Sequence, residues 1–598
     1  MKIFNFQILA LLVSLLVPSP LLASSIASSV EVDLTGIWRG VIDPDGSGIE
    51  LVFHIESNGE NGWRGTVDTP TQNSYGLPLS GVTATADGSV TIEVAATGGI
   101  YKATLEADNK ELRGNWKQRG AELTLDCQRE PLPQAVPEAV VTALPGIWEG
   151  VLPVGSIQLR IILKIEATED NTLSGVMVSP DQSPAEIAIT RIDRLDDRQV
   201  RVCLGEVFVR MELALSGAGD QLDGTFHQGR GKFDITFSKQ DQVTEVLRPQ
   251  EPQPPFPYRS EEVSYPNEAA GIKFAGTLTI PEGEGPFPSV LLITGSGGQD
   301  RDESIFQHRP FFVIADHLTR RGVAVLRVDD RGVGETTRGP GTEPEKETTA
   351  DYVGDALCGI KFLKSRPEVD NKRIGLIGHS EGGVIAPLAA VESDDVAFII
   401  MMAGTGIRGD QLLLKQNELI SLASGIDKDE IARGLDLSRQ LFGLLLEDDL
   451  DAEATRSRIE AIVRASPDLP EGEEGDAEVA RVIGELEIPW IHWFVRYDPA
   501  PTIEKVTCPV LAVNGSLDLQ VPCKENLKSI GAALERGKNP DFELVEFAGL
   551  NHLFQHCTTG SPSEYGEIEE TFSIEVMEKM TKWILHRFGN HKERKLSD

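Results

Sequence analysis

The chain has 598 residues, 40% hydrophobic and 25% charged, an ordinary globular balance that is too long for one core at roughly 100 to 200 residues per domain. Its 93 acidic residues against 56 basic ones leave a net charge of −37, which excludes nucleic acid and anionic lipid surfaces as natural partners. The six cysteines form no Cys-x-x-Cys or Cys/His cluster at zinc spacing, so neither a disulfide scaffold nor a structural metal is implied, and no cofactor motif is present.

At the start, Lys2 precedes an apolar stretch from Ile8 to Val17, then Pro18, Pro20 and the small residues Ala23 to Ala27. This predicts a signal peptide over residues 1–27, and hence an exported protein, periplasmic or secreted. The stretch falls short of the roughly 20 residues needed to span a bilayer, and no later run is long enough, so the mature chain is expected to lack a transmembrane segment.

Residues 31–133 alternate short β-rich runs with Gly, Asp and Asn turns, and residues 141–246 repeat them at an offset of 110. Gly36-Ile37-Trp38-Arg39-Gly40 matches Gly146-Ile147-Trp148-Glu149-Gly150, Gly65 and Pro70 match Gly175 and Pro180, and Leu112 and Gly114 match Leu222 and Gly224. Each copy has room for about eight strands, as a barrel or a related sandwich, and the opening Gly-x-Trp resembles the first strand of lipocalin-like barrels. Such a barrel is either a ligand cup or a filled spacer. Residues 247–258 are Pro-rich and read as a semi-rigid linker separating these repeats from an independently folding remainder.

From 259 to 590 the texture becomes α/β. Strands are predicted at 289–294, 323–328, 373–377, 396–402, 509–514 and 542–547, and helices near 311–321, 350–365, 382–392, 524–536 and 568–588. Between 406 and 498 the alternation stops for some ninety helical, acidic residues, too long for a loop and so a folded insertion. Trp490, Trp493 and Phe494 close it; they either line a substrate pocket or pin the insertion to the core.

Gly378-His379-Ser380-Glu381-Gly382 lies between a predicted strand and a predicted helix, the context in which a Gly-x-Ser-x-Gly becomes a nucleophile elbow. A Ser hydroxyl needs a base, and the base an orienting carboxylate. Asp518 and His552 each follow a later strand end, where α/β sheets place their sites, and are the expected acid and base; His556 and His492 are the competing histidines. The oxyanion hole should combine the backbone N–H of Glu381 with one from the glycine-rich run after the 289–294 strand, Ser296 first and Gly297 next. Asp329, Asp330 and Arg331 are expected to brace the loop beside the elbow, and His379 to be a hydrogen-bonded core residue beneath the nucleophile. Cys523 and Cys557 each stand five residues beyond a predicted catalytic residue, which suggests a disulfide between the two loops.

The segments Thr294 to Asp302, Asp329 to Gly334, Gly378 to Gly383 and Trp493 to Pro499 resemble the serine aminopeptidase-like α/β hydrolases and, among them, the EstD-like bacterial carboxylesterases. Gly298 stands where many relatives carry Pro. The resemblance implies an α/β-hydrolase domain whose 406–498 insertion is a helical cap, and hydrolysis of a small-molecule ester through an acyl-enzyme on Ser380, Asp518 and His552. A peptidase or amidase on the same fold, and a binding protein with a silent hydrolase domain, remain open, as does the oligomeric state.

Overall fold

The computed structural model describes residues 32–589 apart from 44–47, 59–61, 119, 131–135, 155–156, 169–171, 229–230, 244–247, 340–345 and 448–450. The expected signal peptide lies outside the described residues. Two compact units are present, and the chain passes from one to the other at residues 245–246. No described helix is long and apolar enough to cross a membrane.

The first unit holds the two repeats. Each is a nine-stranded antiparallel sheet in which every strand neighbours the next, except that the first pairs with the last and the chain breaks between the fourth and fifth. The ninth strand arises because a break at residues 79 and 80 leaves two short strands, Ser74–Pro78 and Gly81–Ala84, where a single one would make eight. The sheet therefore curls on itself, and its inward face is filled by side chains, among them Trp38, Phe53, Tyr101 and Trp116. The matched tryptophans behave alike: each indole is fully buried and donates to the carbonyl four residues earlier, Trp38 to Leu34 at 2.8 Å and Trp148 to Leu144 at 2.7 Å. Matched cations cover both rings, Arg129 over Trp38 and Lys239 over Trp148.

The two repeats join through a buried polar knot. Asp68 accepts from Arg191 at 2.8 Å, from Gly76 N at 2.7 Å, and faces His54 at 2.9 Å, so its carboxyl is held low, at about 2, against the opposing effect of burial. Gly205 packs so tightly that a Cβ there would lie 2.0 Å from the Gly76 carbonyl oxygen.

The second unit is built on an eight-stranded sheet: β1 (Tyr258–Asn267), β2 (Ile272–Pro281), β3 (Phe287–Ile293), β4 (Ala324–Val328), β5 (Val369–His379), β6 (Phe398–Met402), β7 (Val510–Gly515) and β8 (Phe542–Phe547), in the order β1-β2-β4-β3-β5-β6-β7-β8. From β4 to β8 neighbours run parallel, while β1 and β2 add an antiparallel edge that the hydrophobic pattern did not reveal. The central strands are buried along nearly their whole length because α1 (Pro310–Thr319), α2 (Thr349–Lys364) and α3 (Gly382–Glu392), with two later helices, cover both faces. This is an α/β-hydrolase domain. Helices α4 (Gly409–Ala423), α5 (Lys428–Leu445), α6 (Ala452–Arg464), α7 (Glu473–Leu486) and α8 (Pro489–Arg496) form the cap, with a hydrophobic cluster of their own. The remaining covering helices are α9 (Cys523–Arg536) and α10 (Ile574–Phe588). α10 begins six residues later than expected from 568, because the amides of Thr571 and Phe572 are taken by the Gln250 side chain.

The linker is not free of this unit. Arg248 donates to the carbonyls of Phe306, Gly566 and Ile568, and Glu251 pairs with Arg309.

Candidate active site

Strand β5 delivers His379 to the sheet's carboxyl edge, and the turn into α3 places Ser380 at φ +52°. A Cβ on Gly378 would lie 1.9 Å from the Gly382 carbonyl oxygen, and one on Gly382 would lie 2.3 Å from that of Ile293, so only glycine permits this turn. The left-handed Ser380 is held by its own amide, which donates to Met402 O at 2.9 Å.

The loop after β7 that carries Asp518 and the loop after β8 that carries His552 are stitched together by Leu517 N to Leu550 O at 2.9 Å and Gly549 N to Ser516 Oγ at 2.9 Å. Across that seam His552 Nδ1 meets Asp518 Oδ2 at 2.8 Å. Asp518 Oδ1 accepts from Gln520 N and Val521 N, both at 2.8 Å, so the carboxylate is fully satisfied and cannot rotate away. Both side chains are buried. The competing His556 turns outward to Glu570 at 2.8 Å. No hydrogen bond joins Ser380 Oγ to His552 among the described residues, which is common where such bonds tighten only around a substrate.

On the other side of Ser380 stands the glycine-rich loop, where a Cβ on Gly295 would lie 3.3 Å from Ser380 Cβ. Gly295 N is committed to Glu303 Oε1 at 2.9 Å. The amides of Ser296, Gly297 and Glu381 have no backbone acceptor among the described residues. The two expected carboxylates brace the loop, Asp330 accepting from Gln299 N and Thr294 Oγ1, both at 2.9 Å, and Asp329 from Arg301 N at 2.9 Å, but Arg331 turns instead to Asp355 and Glu347. Burial raises the Asp330 carboxyl well above the usual range.

A cavity of about 290 Å³ opens from this loop, walled by Ser296, Glu381, Tyr265, Tyr352, Trp490 and Ile491, among others. Of the three aromatic residues that close the insertion, only Trp490 lines it. The other two pack in the cap's own hydrophobic cluster: Phe494 is buried and stacked behind Trp490 at 4.8 Å, and Trp493 stacks on Tyr497 at 4.5 Å. Trp490 also ties the cap to the core, because its Nε1 donates to Glu381 Oε1 at 2.8 Å. Glu381 also accepts from the Thr349 hydroxyl, and burial raises its carboxyl despite these donors. No local pattern announced this convergence on Glu381.

The expected disulfide does not form. All described cysteines are free; Cys523 Sγ faces Asn514 O at 3.9 Å, while Cys557 Sγ faces Gly549 O at 3.6 Å. Cys523 is drawn back under β7 by the first turn of α9, so it never reaches the loop that carries His552.

Residues 290–564 match the family model described as the alpha/beta hydrolase family. Over 320 residues the chain is 27% identical to esterase EstD of Thermotoga maritima, covering 52% of this chain and 65% of that one. It is 32% identical over 142 residues to esterase FrsA of Vibrio cholerae serotype O1, covering 24% of this chain and 30% of the relative. The chain thus spans less than two thirds of either relative's length. The solved structure of Est1E from Butyrivibrio proteoclasticus aligns over 55% of this chain and 99% of its own at 20% identity, with a TM-score of 0.31.

Proposed function

We propose that this chain, whose C-terminal part is an α/β-hydrolase domain, is a serine hydrolase that cleaves carboxylic esters of small molecules through an acyl-enzyme on Ser380. The observation that carries the reading is the Asp518–His552 bond at 2.8 Å on two loops stitched beside the elbow. In this reading Ser380 Oγ attacks the ester carbonyl carbon while His552 Nε2 takes the hydroxyl proton. The tetrahedral oxyanion is held by the N–H groups of Glu381 and Ser296. Collapse breaks the ester C–O bond, and His552 returns the proton to the departing alcohol. Water, activated by the same imidazole, then releases the acid and restores Ser380. Asp518 holds Nδ1 as the donor, which leaves Nε2 free to accept. The names of the relatives, both esterases, favour ester over amide.

The test is hydrolysis of short p-nitrophenyl esters and of aminoacyl anilides by the full chain and by Ser380→Ala, with a fluorophosphonate probe as an active-site label. Loss of the nucleophile lowers such rates by on the order of 10⁶, so the variant should neither turn over nor label. Undiminished ester hydrolysis by Ser380→Ala would refute the mechanism, and anilide cleavage with negligible ester cleavage would make the protein an amidase. Export is part of the proposal; an N-terminus after residue 23 or 27 on protein recovered from the periplasm or medium supports it, and an intact N-terminus there speaks against it.

A further inference from the structure

A second histidine–carboxylate pair lies directly behind the nucleophile. His379 Nδ1 faces Glu303 Oε1 at 2.9 Å, and His379 Nε2 faces the carbonyl oxygen of His552 at 3.0 Å. A carbonyl can only accept, so Nε2 must carry a proton. Glu303 Oε1 also accepts from Gly295 N, so as a carboxylate it presents an acceptor to Nδ1, and an imidazolium satisfies both of the ring's contacts. Both residues are buried, Glu303 to 3% exposure and His379 to 5%. Burial by itself would lower the affinity of His379 for its second proton, but the adjacent Glu303 charge prevails and raises it. Glu303 adopts φ +53°, a conformation disfavoured by about 1–2 kcal/mol for a residue with a Cβ, and its side chain occupies this position nonetheless.

The pair touches three segments that catalysis must hold in register. Glu303 anchors the oxyanion loop at Gly295, His379 immediately precedes Ser380, and the His552 carbonyl belongs to the base. The His552 side chain is fixed by Asp518 and its main chain by His379, with the two imidazole rings 4.9 Å apart at their centroids.

We propose that His379 is a positioning residue: as an imidazolium paired with Glu303 and bonded to the His552 carbonyl, it locks the base loop, the elbow and the oxyanion loop into one arrangement. This rests on the esterase reading for its kinetic consequence only. The groups facing the ring are Glu303 from the loop after β3 and His552 from the loop after β8, with Asp518 acting at longer range.

Two measurements test this on the full chain. With ¹⁵N-histidine labelling, one imidazole should retain both ring protons at pH 8, and that signal should vanish in His379→Gln and in Glu303→Gln. In ester hydrolysis, both variants should lose about 10- to 100-fold in kcat with KM within about twofold, as expected for misplacement by an ångström or less. In His379→Gln the acid limb of kcat/KM should also move up by about 0.5–1 pH unit, because a positive charge beside His552 is gone. A merely structural role would leave that limb in place. Absence of a doubly protonated histidine in the wild type, or folded His379→Gln with unchanged kcat and acid limb, overturns the proposal. Should the wild type hydrolyse no ester, the esterase reading fails, while the substrate-free spectrum still decides the pairing.

Discussion

Replacing Asp518 with Asn exchanges one carboxylate oxygen for an amide nitrogen, and the surroundings dictate where that nitrogen goes. Oδ1 accepts from the amides of Gln520 and Val521, both at 2.8 Å, and two donors there require an acceptor. The Asn oxygen must therefore keep that place, and the NH₂ group must face His552 Nδ1, which now lies 2.8 Å from Asp518 Oδ2. Two donors cannot face each other, so the imidazole takes the other tautomer, with Nδ1 accepting and Nε2 protonated. A protonated Nε2 cannot remove the Ser380 proton. Comparable substitutions lower kcat by about 10⁴, or roughly 5.5 kcal/mol at 1.36 kcal/mol per decade. Because the two backbone bonds survive, Asp518→Asn should fold like the wild type by circular dichroism. The assay is p-nitrophenyl ester hydrolysis from pH 6 to 9, alongside Ser380→Ala. Activity within tenfold of wild type at neutral pH would refute the tautomer argument, and activity no higher than that of Ser380→Ala would show that Asp518 does more than orient the base.

Trp490→Phe keeps an aromatic wall on the cavity but removes the bond to Glu381; hydrogen bonds to such groups contribute roughly 1.5–3 kcal/mol, so kcat/KM for esters should fall about 10- to 100-fold, and an unchanged value would remove Trp490 from the site. His308, buried between Tyr565 O and Thr571 Oγ1, is held down to about 4, by burial first and by Arg248 second. Its folded value lies below its unfolded one, so its stabilisation is present above pH 6.5 and lost as pH falls toward 4, by up to about 3 kcal/mol; urea midpoints should drop over that window, and less so in His308→Gln. A fragment beginning at Arg248 should fold and hydrolyse esters, whereas one beginning at Tyr258 loses the Arg248 and Glu251 contacts and should melt roughly 5 °C lower; equal melting temperatures would mean that the linker is not part of the domain.

Several features were legible because their causes are local. The duplication shows as an unbroken 110-residue offset, and the matched Trp38 and Trp148 make the same bond in both copies. The elbow shows because a left-handed Ser380 between strand and helix brings the Gly382 carbonyl against position 378, where only glycine fits. Less was visible where a residue's role depends on what lies across from it. Strand β1 carries Arg259, Ser260, Glu261 and Glu262 and contains Pro266, a pattern that an exposed sheet edge tolerates but that does not read as a strand until β2 stands beside it. Cys523 and Cys557 were placed symmetrically along the chain from Asp518 and His552, but helix α9 carries one of them out of reach.

By itself, then, the amino-acid sequence determined the two β-repeats, the α/β architecture, the helical cap and the strand-end loops holding Ser380, Asp518 and His552, since hydrophobic period and glycine sterics act over a few neighbouring residues. Only the tertiary structure decided which side chains meet across those loops. Glu303 reaches His379 across 76 residues of chain and Trp490 reaches Glu381 across 109. Such contacts are set by how strand ends and cap helices converge to satisfy buried polar groups, and that requirement has no signature along the chain because it exists only once the core has closed around them.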